Sequence, residues 1–291
     1  MVKKLSQLYL DARKKLMEQE DAQYAGQVAR ELVCLVTGKT PEQVLTDREM
    51  YVSDPECEAM DALLQRVMEG EPLAYILGEW EFYGLPLQVT PDVLIPRDDT
   101  CAVTALAIKK ALFLPESPRI LDLCTGSGCI GLAIASKISD ARVTLADISK
   151  EALAVARKNV ANNGFARRVT CLQADALGEP SAFLGKFDMI VSNPPYISTE
   201  EMQTLPVSVK NYEPHLALHG GKDGLDFYRN IISNFAQCLK PGGFLCFEYG
   251  EDQGDAICEL LALNGYTVLE RSRDYNDRER ACIAQLNRKE D

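Results

Sequence analysis

The chain has 291 residues, 46% of them apolar, with 31 Lys and Arg against 43 Asp and Glu and a formal net charge of −12. That length and apolar content suffice for one sizeable core and a small companion domain, which excludes a disordered chain or a disulfide-stapled miniature. Residues 1–85 carry nine basic and sixteen acidic side chains and the other 206 carry 22 and 27. A chain acidic in both parts has little pull on phosphates, so nucleic acid is disfavoured unless a local basic groove hides in the total. A protein partner with a basic face suits the charge, although solubility alone accounts for it equally well.

Helical spacing opens the chain: Leu5, Leu8, Ala12, Leu16, then Val28, Ala29, Leu32, Val33, Val36, then Ala59, Met60, Leu63, Leu64, Val67. Thr40 and Gln43 form a capping box with Pro41 at the first helical position. A small helical bundle is expected over residues 1–72. The stretch Leu85 to Ile95 becomes extended around Pro86 and Pro91, which predicts a β-hairpin linker within residues 73–98. From residue 99 strands and helices alternate, with strands expected near 119–123, 142–147, 169–173, 187–192, 243–249, 266–271 and 281–286. That rhythm predicts an α/β, Rossmann-like doubly wound sheet over 99–291.

The ten cysteines are scattered without a Cys-x-x-Cys pair, and Cys34, Cys129, Cys171 and Cys246 sit in apolar runs. They read as reduced core residues of a cytoplasmic protein, with no metal site. No apolar run approaches a membrane span, and Met1-Val2-Lys3-Lys4 leads into an amphipathic helix instead of a signal peptide. His215 and His219 are the only histidines, and both read as loop residues on the surface or in packing.

Two motifs carry chemistry. The apolar run Ile120 to Leu123, holding Asp122, leads into Cys124, Thr125, Gly126, Ser127 and Gly128 and then a helix with Gly131. Glycines there permit positive φ and close approach of a ligand, and the helix N-terminus offers free N–H groups. About seventy residues on, the run Phe187 to Ser192 is followed by Asn193, Pro194, Pro195 and Tyr196. The Asn193 and Pro194 carbonyls can each accept a hydrogen bond from one NH2 group, the prolines remove competing donors, and Tyr196 can stack on the group's face.

Gly126, Gly128 and Gly131 also match G-x-G-x-x-G, with Asp147 placed 21 residues after Gly126, as in a nicotinamide dinucleotide site. Asp122 within the strand end and the Asn-Pro-Pro-Tyr run favour methyl transfer from S-adenosyl-L-methionine, with S-adenosyl-L-homocysteine as product.

Gly70-Glu71-Pro72-Leu73-Ala74-Tyr75-Ile76-Leu77-Gly78, Glu81-Phe82-Tyr83-Gly84, and Leu94-Ile95-Pro96-Arg97 with Thr100 resemble the linker signature of the release factor glutamine methyltransferases, often called PrmC or HemK. Tyr212-Glu213-Pro214, Ala217-Leu218, Gly220-Gly221 and Asp223-Gly224-Leu225 resemble the family segment that follows the catalytic loop. The resemblance spans about residues 70–285 and implies an antiparallel final strand. It departs at Asp98, where family members usually carry a second proline, and at Ala176, where some place an aromatic beside the adenine.

The resemblance implies N5-methylation of a glutamine side-chain amide, in the Gly-Gly-Gln motif of peptide chain release factors. On that reading Asn193, Pro194 and Tyr196 are catalytic, and Leu94, Arg97 and Pro195 join them on the substrate. The loop Cys124 to Gly128 lies against the methionyl part of the cofactor, with Asp122 reaching its ammonium directly or through water. Asp147 takes the ribose hydroxyls, and Asp175 takes the adenine amino group with Ala176 and Leu177 along the ring. Asp122 has a second reading, as a carboxylate that braces the loop. Adenine or cytosine amino methylation in nucleic acid stays open as the alternative, because it uses the same four residues. A cofactor-binding adaptor without catalysis is the third reading. A monomer is expected, with residues 1–72 recognising the protein substrate.

Overall fold

The computed structural model describes residues 3–287, and these form two compact units. The first runs up to Gly78 and takes in Val207–Tyr212. Its helices are α1 (Leu5–Leu16), α2 (Ala22–Thr37), α3 (Pro41–Thr46), α4 (Asp54–Met68) and α5 (Leu73–Leu77), with the single-turn α9 (Val207–Lys210). Two-residue strands β1 (Lys3–Lys4) and β2 (Tyr51–Val52) pair antiparallel.

Side chains start three of these helices. Asp21 accepts from the backbone of Gln23 and Tyr24, and both Thr40/Gln43 and Ser53/Glu56 close capping boxes, each satisfying donors that the first turn leaves orphaned. The apolar stripes of α1, α2 and α4 meet in one core through Leu8, Leu16, Val28, Leu32, Met60 and Leu64. Each such side chain contributes about 1.5–3 kcal/mol on burial. Ala59, expected on the apolar stripe, is exposed; α4 buries only Met60 and Leu64 fully, so its contact face is narrower than the spacing suggests.

The second unit holds Glu79–Pro206 and the residues from Glu213 on. It opens with a hairpin of β3 (Glu79–Phe82) and β4 (Leu85–Gln88). The extended reading of Leu85–Ile95 as the hairpin is thereby corrected. Tyr83 and Gly84 both have positive φ, 56° and 80°, the two-residue turn that matches strand twist. Without an Asn-Gly or Asp-Gly signal, that turn is hard to see in sequence.

Seven strands make the main sheet in the order β10-β11-β9-β8-β5-β6-β7. They are β5 (Arg119–Leu123), β6 (Arg142–Asp147), β7 (Val169–Gln173), β8 (Phe187–Ser192), β9 (Leu239–Glu248), β10 (Tyr266–Arg273) and β11 (Glu279–Leu286). β5 to β9 pair in parallel, whereas β11 runs antiparallel to both β9 and β10.

Alternation along the strands separates two cores. Ile120, Val143, Met189 and Cys246 pack with α6 (Cys101–Ala111), α7 (Cys129–Lys137) and α8 (Lys150–Asn162). Leu121, Ile190, Leu245 and Phe247 pack with α10 (Asp226–Asn234) and α11 (Gly254–Leu263). The chain builds outward from β5 to β6 and β7, then returns to lay β8 on the other side of β5. Where strand order reverses in this way, the loops leaving the strands part and open a crevice at their carboxyl ends.

Candidate active site

The crevice opens at that reversal. Its walls include Cys124, Thr125, Gly126 and Ser127 after β5, Asp147 at the end of β6 and Ile148 after it, Asp175, Ala176 and Leu177 after β7, and Asn193 and Pro195 after β8. Leu94, Arg97 and Thr100 from the segment before α6, and Phe227 from α10, also face it. Most of the residues singled out in sequence therefore share one crevice. Asp122, Gly128, Pro194 and Tyr196 do not form part of its lining.

Asp122 is fully buried in β5, and its Oδ2 accepts from Thr125 Oγ1 at 2.6 Å and from the Gly131 N–H at 2.8 Å. It ties the glycine turn to the first turn of α7, as in the loop-bracing reading. Desolvation pushes its pKa up to about 7, against the pull of those two hydrogen bonds, and Oδ1 has no protein partner. Gly131 supplies the close approach: a Cβ there would lie 2.3 Å from Leu145 Cδ2.

The turn itself is strained at Cys124, a non-glycine residue with φ 61°, in a region that favours glycine. Partners hold it in place. Thr125 N donates to Ala146 O at 3.0 Å, Gly126 N to Asp147 Oδ2 at 2.9 Å, and Asn159 Nδ2 to Ser127 O at 2.9 Å. Asp147 Oδ1 accepts from Ser149 N, so each carboxylate oxygen holds one backbone donor and keeps lone pairs for a ligand. Burial raises the Asp147 pKa. The hydroxyl of Ser127 is buried without a protein partner on the crevice wall.

Asp175 lies two residues past β7 and is exposed, its Oδ1 accepting from Leu177 N at 2.8 Å. Asp147, at the end of β6, is half-buried, whereas Asp175 is exposed because β7 is the sheet edge, so the cost expected of an acid ending a strand in an apolar crevice does not arise at Asp175. Ala176 is buried, and its carbonyl accepts from Asn230 Nδ2 at 2.6 Å.

Asn193 follows β8, whose six residues are all buried. Its Nδ2 lies 3.4 Å from Thr100 Oγ1, which leaves Oδ1 as the opposite edge of the amide. The backbone beyond is clamped by the downstream segment. Ile197 N donates to Leu218 O, Gly220 N returns a bond to Ile197 O at 2.8 Å, and Tyr196 O accepts from Gln253 Nε2 at 2.9 Å. A Cβ on Gly220 would sit 2.6 Å from Pro195 O, so only glycine allows this contact. Desolvation raises the Tyr196 pKa, so its phenol stays protonated.

Arg97, read in sequence as a substrate residue, pairs with buried Glu213, whose Oε2 also accepts from Ile95 N at 3.3 Å. The pair joins the segment before α6 to the segment after the Asn-Pro-Pro-Tyr run. Sequence reasoning missed Glu248, Phe227 and the bracing role of Glu213. An acid closing the apolar run Phe244 to Phe247 was the available signal for Glu248.

Two family models match the chain: the PrmC N-terminal domain over residues 7–78 and the methyltransferase small domain over residues 101–209. The release factor glutamine methyltransferase of Escherichia coli K12 is 38% identical over 252 residues, covering 86% of this chain and 88% of that protein. The chain belongs to the release factor glutamine methyltransferase family. The family member from Moorella thermoacetica is 44% identical over 222 residues, 76% of this chain and 77% of the relative. A crystal structure of a methyltransferase from Pyrococcus furiosus shares the fold, with a TM-score of 0.52 at 21% identity over 78% of this chain and 99% of that one. Like its family, this chain is a methyltransferase, and the nicotinamide reading of the three glycines falls away. Among the described residues no helix is long and apolar enough to cross a membrane, and no three His, Cys, Asp or Glu side chains gather as metal ligands do.

Proposed function

We propose that this enzyme methylates the side-chain amide nitrogen of a glutamine in a peptide chain release factor, using S-adenosyl-L-methionine and releasing S-adenosyl-L-homocysteine. Family membership supports the substrate class. The observation that carries the chemistry is the place of Asn193, beside the β5 glycine turn, with its amide nitrogen turned to Thr100.

The crevice fits the cofactor's three parts. A Cβ on Gly126 would meet open space, so backbone there is accessible, and the unpartnered Ser127 hydroxyl offers a polar contact beside it for the methionyl group. Asp147 has lone pairs left for two ribose hydroxyls. Ile148, Ala176 and Leu177 supply apolar wall for an adenine, with Asp175 near its amino group. Phe227 provides an aromatic face on the same crevice, in place of the one missing at Ala176. When bound, the cofactor supplies an electrophilic methyl carbon.

An amide nitrogen is a poor nucleophile because its lone pair is shared with the carbonyl. Asn193 Oδ1 and the Pro194 carbonyl accept its two N–H bonds, which aims the lone pair and stabilises the positive charge that develops on nitrogen. Tyr196, neutral and held by its backbone bond to Gln253, covers the amide face. The proton becomes acidic after transfer and leaves to water. The helical unit, which the chemistry does not need, gives the release factor a second docking surface and so raises affinity.

Labelled S-adenosyl-L-methionine, incubated with the purified enzyme and either release factor, duplex DNA or RNA, tests the reading. Label on a release factor glutamine, located by mass spectrometry, is expected. Label on nucleic acid alone would replace it with the amino-methylation alternative.

A further inference from the structure

β9 ends at Glu248, one residue past the last registered pair between β8 and β9, Ser192 opposite Phe247. The next step along the two parallel strands brings Glu248 alongside Asn193. Its side chain is 1% exposed, and the Thr100 hydroxyl and the Asn193 amide lie near enough to its carboxyl to favour the ionised form. Oε2 has no protein partner. A carboxyl stripped of water with part of its acceptor capacity unused works against stability, so packing alone does not explain it.

The two edges of an asparagine amide are nearly identical in shape and opposite in hydrogen-bonding sense. Only the carbonyl edge accepts from a substrate NH2 group. If the amide turned over, two NH2 groups would confront each other. Thr100 cannot decide between the edges, because a hydroxyl both donates and accepts. An ionised carboxylate can only accept, and so it selects the donor edge for itself.

We propose that Glu248 is a positioning residue that fixes the flip state of the Asn193 amide, thereby reserving the crevice for an acceptor that presents an NH2 group. This rests on the reading of Asn193 as the group that accepts the substrate's N–H. Ionisation couples to the flip. Desolvation, reinforced by Asp99, pushes the Glu248 pKa up to about 8, while the Thr100 and Asn193 hydrogen bonds and Arg280 hold it back. Cys101, Cys129, Tyr196 and Tyr228 are the other titratable groups within its field; burial keeps each of them neutral well past pH 8. A protonated Glu248 can donate, which gives the wrong flip state a partner. The competent fraction therefore grows as pH rises through about 8.

The test uses the full chain, intact release factor and labelled S-adenosyl-L-methionine, with kcat, KM and cofactor affinity measured from pH 6 to 10. In the wild type, kcat rises through about pH 8 while KM and cofactor affinity stay level. Glu248→Gln keeps the shape but accepts and donates equally, so the two flip states become about evenly populated, kcat falls about twofold and its rise near that pH disappears. Glu248→Asp retains the charge and some of the rise. Should Glu248→Gln fold poorly, Glu248→Asp carries the test, because its shorter side chain draws the carboxylate back from Asn193 and is expected to lower kcat with cofactor affinity intact. Wild-type kcat and an unchanged pH profile in Glu248→Gln, or a loss confined to KM, would overturn the proposal. A wild-type enzyme that labels no glutamine would remove the underlying reading of the site.

Discussion

Replacing Gly131 by alanine tests whether the cofactor turn depends on backbone contact between α7 and the sheet. The new Cβ would lie 2.3 Å from Leu145 Cδ2 and 3.0 Å from both Asp122 Oδ2 and Val143 Cγ1. Leu145 cannot swing away cheaply. It is fully buried, and its other methyl already lies where a Cβ on Gly128 would come within 3.0 Å. The helix must lift instead, which weakens the bond from Gly131 N to Asp122 that braces the turn. Overpacking of this kind costs about 1–3 kcal/mol, roughly 2–4 °C of Tm for each kcal/mol in a unit of this size.

Gly126→Ala provides the contrast. Nothing lies within 4 Å of its Cβ, so only the left-handed φ is penalised, by about 1–2 kcal/mol. Chemical denaturation measures the stability, and calorimetric titration with S-adenosyl-L-methionine measures the affinity. Gly131→Ala is expected to lower both. In the double variant with Leu145→Ala the vacated space accepts the new methyl, so the combined loss is smaller than the sum by at least about 0.5 kcal/mol. A stable Gly131→Ala protein with unchanged affinity, or strict additivity in the double variant, would refute the reasoning.

Asn193→Ala should abolish methyl transfer and leave cofactor affinity near wild type; turnover close to wild type would remove Asn193 from the chemistry. Asp147→Ala should weaken cofactor binding by about 1.5–3 kcal/mol, the contribution of hydrogen bonds to a charged acceptor, and unchanged calorimetric affinity would move the ribose site elsewhere. Asp122 has a folded-state pKa raised to about 7, so the folded state favours its protonated form. Its contribution to stability is complete below pH about 4 and is lost as pH climbs to about 7, by at most about 1.4 kcal/mol per pH unit. Asp122→Asn keeps an acceptor for Thr125 and Gly131 and should flatten that slope in denaturation curves; an identical slope would contradict the assignment. A chain beginning at Glu79 should still bind S-adenosyl-L-methionine but lose most of its kcat/KM on intact release factor and much less on a short glutamine peptide. Equal loss on both substrates would show that the helical unit does not dock the protein.

The amino-acid sequence by itself determined the order of elements, the glycine turn after β5 and the Asn-Pro-Pro-Tyr run after β8. These are local: apolar periodicity, caps and backbone permissions act over a few residues and leave their mark in the adjacent sequence. The register of β8 against β9, and hence Glu248 beside Asn193, was decided only by tertiary structure, as was the latch from Arg97 to Glu213. Each joins residues separated by 52 or more positions, where no local preference reports the pairing. Burial was likewise a tertiary outcome. Asp122 and Asp175 both looked like acids at strand ends, yet β5 is central and β7 is the edge, so one became an internal brace and the other stayed exposed to water.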